Sequence, residues 1–261
     1  MNQFRLRLIT NLNCNFNCDF CYQKKKCNDI LSVDEVKRQL SGYDRFERVS
    51  IMGGESTLLD NLPEYIAAVA EKCDTVGLTT NGSRFDEDLM LRCKDAGLDE
   101  VAFSIPSFKH FEEITGHEIN DVLNNLQMAM HHFPRGAVRV NITQNEWNMR
   151  NQIDESTGKE ISAEIYEMIL LFNMKDLFVV ICEDIAGNWV MDFEKEMNAE
   201  LISEKHGYMM YEYLTFFHGA FGFFHDYLKY DDTDIIMTPV GTFMKWSEYC
   251  SAVGLELKNE D

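Results

Sequence analysis

Basic residues are in short supply in this chain. Lys and Arg number 24 against 44 Asp and Glu in 261 residues, a formal net charge of −20 at pH 7. A surface of that sign repels phosphate backbones, so nucleic acid is not an expected partner. The one basic run, Lys24-Lys25-Lys26, reads as a solvated loop; its functional alternative is a docking patch for an acidic electron donor. Long apolar runs are missing as well. The stretch Met168–Phe172 is cut off by Asn173, Lys175 and Asp176, short of the ~20 residues that a membrane span needs. The opening Met1-Asn2-Gln3-Phe4-Arg5 has no basic-then-apolar signal profile. A soluble, cytoplasmic protein with no membrane partner is expected.

Cysteine is too sparse for a disulfide scaffold, at 8 residues in the whole chain. Cys73, Cys93, Cys182 and Cys250 stand alone and read as small buried hydrophobes. Proline is rare, with 4 in all, and no linker or low-complexity segment interrupts the chain. A single α/β domain is expected, with 45% hydrophobic residues to fill its core.

What is present is a regular alternation. Strand-like segments at 4–10, 48–52, 75–80, 99–105, 137–143 and 176–182 alternate with helix-like segments at 32–40, 62–73, 85–96, 121–132 and 161–173. Ser32 with Glu35 three residues on is a capping box for the first helix. Repeats of about 30 residues with right-handed crossovers predict a parallel sheet with helices outside it. Six such units give either an open doubly wound sheet or a partial barrel, and the fold expected is a partial (β/α)6 TIM-like barrel. Residues 1–182 would form the core and residues 183–261 a capping segment packed on it. In that segment, residues 188–228 read as helical and rich in aromatics. A short hairpin follows around Pro239-Val240-Gly241, then a helix at 247–253.

Barrels of this kind gather their chemistry at the C-terminal ends of the strands. After the first strand comes Cys14-Asn15-Phe16-Asn17-Cys18-Asp19-Phe20-Cys21-Tyr22, a C-x3-C-x2-C spacing. Three thiolates this close can ligate three irons of a four-iron, four-sulfur cluster and leave the fourth iron open for chemistry. A structural zinc site with Cys27 as fourth ligand is the bland alternative, but it lacks the usual pair of C-x2-C knuckles. The next strands end in Gly53-Gly54-Glu55-Ser56, Thr79-Thr80-Asn81-Gly82 and Ala102-Phe103-Ser104-Ile105, the last followed by Phe111-Glu112-Glu113-Ile114-Thr115-Gly116. Arg139, Asn141 and Thr143 share one face of the fifth strand. Thr80 and Asn81 serve equally well as caps of the next helix, and Arg139 as half of a surface ion pair. His218 and His225 do not by themselves make a site.

These motifs resemble the radical S-adenosylmethionine (SAM) superfamily, in the branch of the molybdenum-cofactor cyclase and the peptide maturases. Ser56 stands where that family's Gly-Gly-Glu-Pro motif has proline. The resemblance covers residues 4 to about 145 and fades through 182. It implies a 4Fe-4S cluster on Cys14, Cys18 and Cys21, with SAM chelating the open iron. It further implies SAM contacts from Gly53, Gly54, Glu55, Thr80, Asn81, Ser104 and Asn141. One-electron reduction would then cleave SAM to methionine and a 5′-deoxyadenosyl radical that takes hydrogen from the substrate. Flavodoxin or ferredoxin would be the reductant. Many relatives carry a second cluster in a cysteine-rich extension. Only Cys182 and Cys250 lie that late here, so one cluster is expected, and these two residues become candidate hydrogen-atom donors. The expected substrate is a peptide, natural product or small metabolite. The alternatives are a nucleotide-modifying enzyme of the same class and a non-catalytic iron–sulfur electron-transfer protein.

Overall fold

In the computed structural model, the residues described are 5–18, 21, 23, 26–108, 110–143, 178–182, 199–205, 208–213, 220–224 and 234–252. The elements run β1 (Arg5–Ile9), α1 (Val33–Leu40), β2 (Phe46–Met52), a 3-10 turn (Ser56–Leu58), α2 (Leu62–Ala70), β3 (Cys73–Thr80) and α3 (Glu87–Asp95). There follow β4 (Glu100–Ser104), α4 (Phe111–Thr115), α5 (Asn120–His132), β5 (Val138–Thr143) and β6 (Phe178–Cys182). The chain continues with β7 (Ala199–Lys205), β8 (Tyr208–Tyr213), β9 (Ala220–Phe224), β10 (Asp234–Thr238), β11 (Gly241–Phe243) and a last described helix, α6 (Trp246–Ala252).

Strands β1 to β6 lie side by side in chain order, each parallel to the next. Sequential right-handed units build the expected partial barrel. Among the described residues, one sheet holds eleven strands in the order β11-β10-β1-β2-β3-β4-β5-β6-β9-β8-β7. The expected helix at 161–173 lies outside the described residues. Among the described residues, no helix is long and apolar enough to cross a membrane.

The register divides the sheet into two unlike faces. On one face run Leu6, Val49 and Val76 in one row, and Leu8, Ile51, Leu78, Val101 and Val138 in the next. All of these are nearly or fully buried. They meet the apolar stripes of the helices: Val36 and Leu40 of α1, Leu62, Tyr65, Ile66 and Val69 of α2, Leu89, Met90 and Cys93 of α3, Val122, Leu126 and Ala129 of α5. The i, i+3, i+4 spacing of these residues is what makes each helix one-sided. On the opposite face the strands carry Arg5, Arg7, Arg48, Ser50, Thr79, Glu100, Ser104, Arg139 and Asn141, all half-buried. A polar interior face backed by an apolar helix layer is the frame on which the site sits.

Ser32 caps α1 as expected, its hydroxyl accepting from Glu35 N at 3.2 Å. Glu35 does not complete the box; its carboxylate takes Arg38 and Gln39 instead. The larger correction lies between residues 188 and 228. Where a helical segment was expected, 199–205, 208–213 and 220–224 are strands, with β7, β8 and β9 successively antiparallel and β9 parallel to β6. Tyr, Phe and Met-rich runs suit a half-buried pleated surface as well as a helix, and pairing with β6 settles the choice. The expected hairpin is β10–β11. It returns to the start of the chain: β10 pairs parallel with β1, and Ile235 and Met237 enter the same apolar core. A bond from Thr242 Oγ1 to Gln39 Oε1 (2.7 Å) fastens this return to α1.

Candidate functional site

The chain leaves β1 through a loop that closes on itself. Leu31 N donates to Thr10 O (2.8 Å), Leu12 N to Asp29 O (3.0 Å) and Cys27 N to Leu12 O (3.3 Å). Leu12 and Phe16 are buried anchors of this loop. Between and beyond them stand Cys14, Cys18 and Cys21, all free and half-buried. Burial pushes the Cys14 thiol above its usual range. Cys18 is pushed up to about 12, first by burial and then by the charges of Cys21 and Cys14. Each thiolate therefore raises the cost of its neighbours, a strain that a bound metal cation relieves. Among the described residues, no three His, Cys, Asp or Glu side chains are grouped closely enough to hold one metal ion.

The end of β2 is laced to this loop by backbone. Gly54 N donates to Asn11 O (2.9 Å) and Glu55 N to Asn13 O (2.7 Å), while Asn11 Nδ2 donates to Glu55 O (3.0 Å). The two glycines are what permit that approach. A Cβ on Gly54 would lie 2.0 Å from Asn13 O, and one on Gly53 2.3 Å from Asn11 Oδ1. Ser56, in the place of the motif's proline, is fully buried and shares a 2.8 Å hydrogen bond with Thr10 Oγ1. The departure from the motif thus supplies one more tie to the cysteine loop.

Glu55 is buried, and both its oxygens are taken. Oε1 accepts from Thr57 N (3.0 Å), Thr57 Oγ1 (2.7 Å) and Thr80 Oγ1 (2.7 Å), and Oε2 from Asn81 N (2.6 Å). Burial raises its pKa, and these donors oppose the rise. Four donors on a buried carboxylate make it a clamp between the ends of β2 and β3. Thr80 donates to that clamp and accepts from Gly82 N (3.0 Å). Its row continues into Phe103 and Val140, on the apolar face; Thr79 occupies the polar face. Sequence reasoning singled out Thr80 and passed over Thr79, although strand alternation distinguishes them once the register is known.

Asn81 joins β3 to the cysteines. Its Nδ2 donates to Asn15 Oδ1 (2.9 Å) and, at 3.8 Å, to Cys14 Sγ; its Oδ1 accepts from Ser83 N (3.0 Å) and Ser83 Oγ (2.7 Å). Asn15 Nδ2 returns to Ser83 Oγ (2.8 Å). From the far side, His117 Nε2 lies 2.9 Å from Asn15 O, and its ring stacks on Phe16 with centroids 4.4 Å apart. Phe16 also meets Phe111 of α4 edge-on. Asn15, Phe16 and His117 went unsingled in the sequence reading. Their partners are 66 to 102 residues away, beyond the reach of local pattern.

Ser104 and Asn141 are register partners at the ends of β4 and β5, and both are half-buried. Asn141 Oδ1 is buried and has no hydrogen-bond partner among the described residues, so it offers an acceptor to a ligand hydroxyl or ammonium. Arg139 is placed differently from a ligand contact: it shares Glu100 with Arg48, at 3.3 and 2.7 Å. Arg48 reaches β4 by crossing over Gly77, where a Cβ would lie 2.5 Å from its Nη2. Burial would raise the Glu100 pKa, but the two guanidiniums outweigh it and hold the carboxyl below its ordinary range. Cys182 is the register partner of Thr143 on β6, and Cys250 lies in α6, which contacts β10 and β11.

Triad, glycine pair, Glu55 clamp and the ends of β3, β4 and β5 thus meet at one end of the sheet, an arrangement suited to a β/α-barrel enzyme with a cysteine-held metal cofactor. The sequence profile of the radical SAM superfamily matches residues 8–154. The chain belongs to that superfamily of enzymes. It is 35% identical over 152 residues to a GTP 3′,8-cyclase of Klebsiella pneumoniae, covering 53% of this chain and 45% of that one. It is 38% identical over 119 residues to a probable GTP 3′,8-cyclase of Sulfolobus acidocaldarius, covering 42% and 37%. The chain thus spans about half or less of the length of these relatives. In fold it is similar to SuiB of Streptococcus suis bound to S-adenosylmethionine, with TM-score 0.64, 14% identity and coverage of 98% of this chain and 63% of that one. Methylornithine synthase (PylB) is similar over 70% of this chain and 54% of its own, with TM-score 0.51 and 15% identity.

Proposed function

We propose that this chain is a SAM-cleaving radical enzyme with a single 4Fe-4S cluster held by Cys14, Cys18 and Cys21. The observation that carries this reading is the convergence of the ends of β2 and β3 on the cysteine loop through direct hydrogen bonds, with the buried Asn141 Oδ1 lacking a hydrogen-bond partner among the described residues. When bound, the cluster supplies the electron that cleaves SAM into methionine and a 5′-deoxyadenosyl radical.

The chain's own residues divide the remaining work. Gly53 and Gly54 present backbone where side chains would intrude, and Ser104 and Asn141 offer a hydroxyl and an amide to SAM. Glu55, Thr80 and Asn81 act one step back: their polar atoms already bond protein, so they hold the loops that make the contacts. Residues 1–182 carry the chemistry, and residues 183–261 complete the sheet around it. Cys182 and Cys250 are candidates to return a hydrogen atom to a product radical. The reductant is a flavodoxin or ferredoxin.

For substrate we propose a peptide, natural product or small metabolite, consistent with an exterior too acidic to favour polyanions. A lone nucleotide is the second reading, favoured by the activity named for the Klebsiella and Sulfolobus relatives. The test is anaerobic reconstitution with iron and sulfide, followed by dithionite and SAM. Formation of 5′-deoxyadenosine is expected, and its absence from a cluster-loaded chain overturns the assignment.

A further inference from the structure

Cys14 differs from the other two cysteines in its surroundings. Its Sγ receives two N–H groups: the backbone of Phe16 at 3.4 Å and the side-chain amide of Asn81 at 3.8 Å. The second donor is not incidental to a mobile side chain. Asn81 is largely buried, its backbone N is fixed on Glu55, its Oδ1 is fixed by Ser83, and its second amide hydrogen is taken by Asn15. Asn15 is in turn held from the opposite side by His117. The backbone N and both side-chain polar atoms of Asn81 are therefore held by partners, and that orientation aims the amide at the sulfur.

We infer that Asn81 is a positioning residue for the cluster, whose amide N–H to the Cys14 sulfur sets the reduction potential of the centre. This rests on the reading of Cys14 as an iron ligand. Hydrogen bonds to a ligating sulfur draw electron density from it and favour the reduced, more negative cluster, so donors raise the potential. The side-chain amide is neutral, as are Asn15 and Ser83 that orient it, so its own effect is a local dipole and not a charge that salt would screen.

The test is an EPR-monitored redox titration of the reconstituted chain without SAM, comparing the wild type with Asn81→Leu and Asn81→Asp. Leu keeps the side-chain size and removes the donor; Asp replaces the donor with a negative charge. The expected result is a midpoint more negative in Asn81→Leu and more negative still in Asn81→Asp, at unchanged iron content. If Asn81→Leu fails to fold or to load iron, Asn15→Ala decides. It releases the tether that aims the amide, and a smaller shift in the same direction is expected. Midpoints equal to the wild type at full iron loading overturn the inference. A wild type that loads no cluster overturns the proposed function instead, so the two failures are distinguishable.

Discussion

At the scale of single residues, the site depends on close backbone approach and on one buried carboxylate. Gly54→Ala would force a methyl group against the Asn13 backbone, which cannot swing aside as a side chain can. A loss of about 1–3 kcal/mol is expected in urea unfolding, larger than for Gly53→Ala, whose nearest obstacle is the Asn11 side chain. Glu55→Gln sets an amide donor against an array that contains only donors. Its expected cost is about 1–3 kcal/mol, with Thr80 and Asn81 losing protection in hydrogen exchange. Glu100 supplies a pH signature. Its carboxyl sits below the ordinary value of 4.5 in the folded chain, so its stabilising contribution is fully present above that value. It drains as pH falls through the lower folded value. Glu100→Gln is expected to flatten that acid limb of stability against pH; an unchanged limb would show that other carboxylates carry it. The cysteine triad was legible as a motif because its three residues are neighbours in sequence. The roles of Asn13, Asn15, Ser56 and His117 were not, because each acts through a partner brought near only by the fold.

At the scale of elements, the alternation of β1 to β5 with their helices was readable because two periods are written side by side. The strands carry apolar residues on one face only, and the helices carry a stripe at 3.6-residue spacing. Leu6 and Leu8 against Arg5 and Arg7 are enough to set both faces of β1. The stretch from 188 to 228 resisted that reading, since Tyr, Phe and Met occur at intervals compatible with either period. The register of β8 against β9, Tyr208 with Phe224 and Tyr211 with Phe221, is long-range information. Strand β10 gives the C-terminal segment a measurable structural role. Ile235 and Met237 are buried beside Leu6 and Leu8, so Ile235→Ala and Met237→Ala should each cost about 2–5 kcal/mol in chemical unfolding. Losses near zero would mean that this return to β1 is dispensable.

At the scale of the whole molecule, charge is partitioned. The chain carries a net −20, yet the polar face of its sheet holds Arg5, Arg7, Arg48 and Arg139, of which Arg48 and Arg139 pair with Glu100. The exterior therefore disfavours polyanions while the interior retains cations. Duplex DNA or RNA at physiological salt is expected to show no mobility shift with micromolar protein; a salt-sensitive shift would contradict this. The central claim concerns an iron left open to SAM within this frame, and spectroscopy addresses it directly. The reconstituted chain, holding about four irons per molecule, is reduced with dithionite and its EPR spectrum recorded with and without SAM. The account predicts a cluster signal whose shape changes when SAM is added and which is lost in Cys14→Ala. A signal indifferent to SAM, or a chain that holds one zinc and no iron, would contradict it.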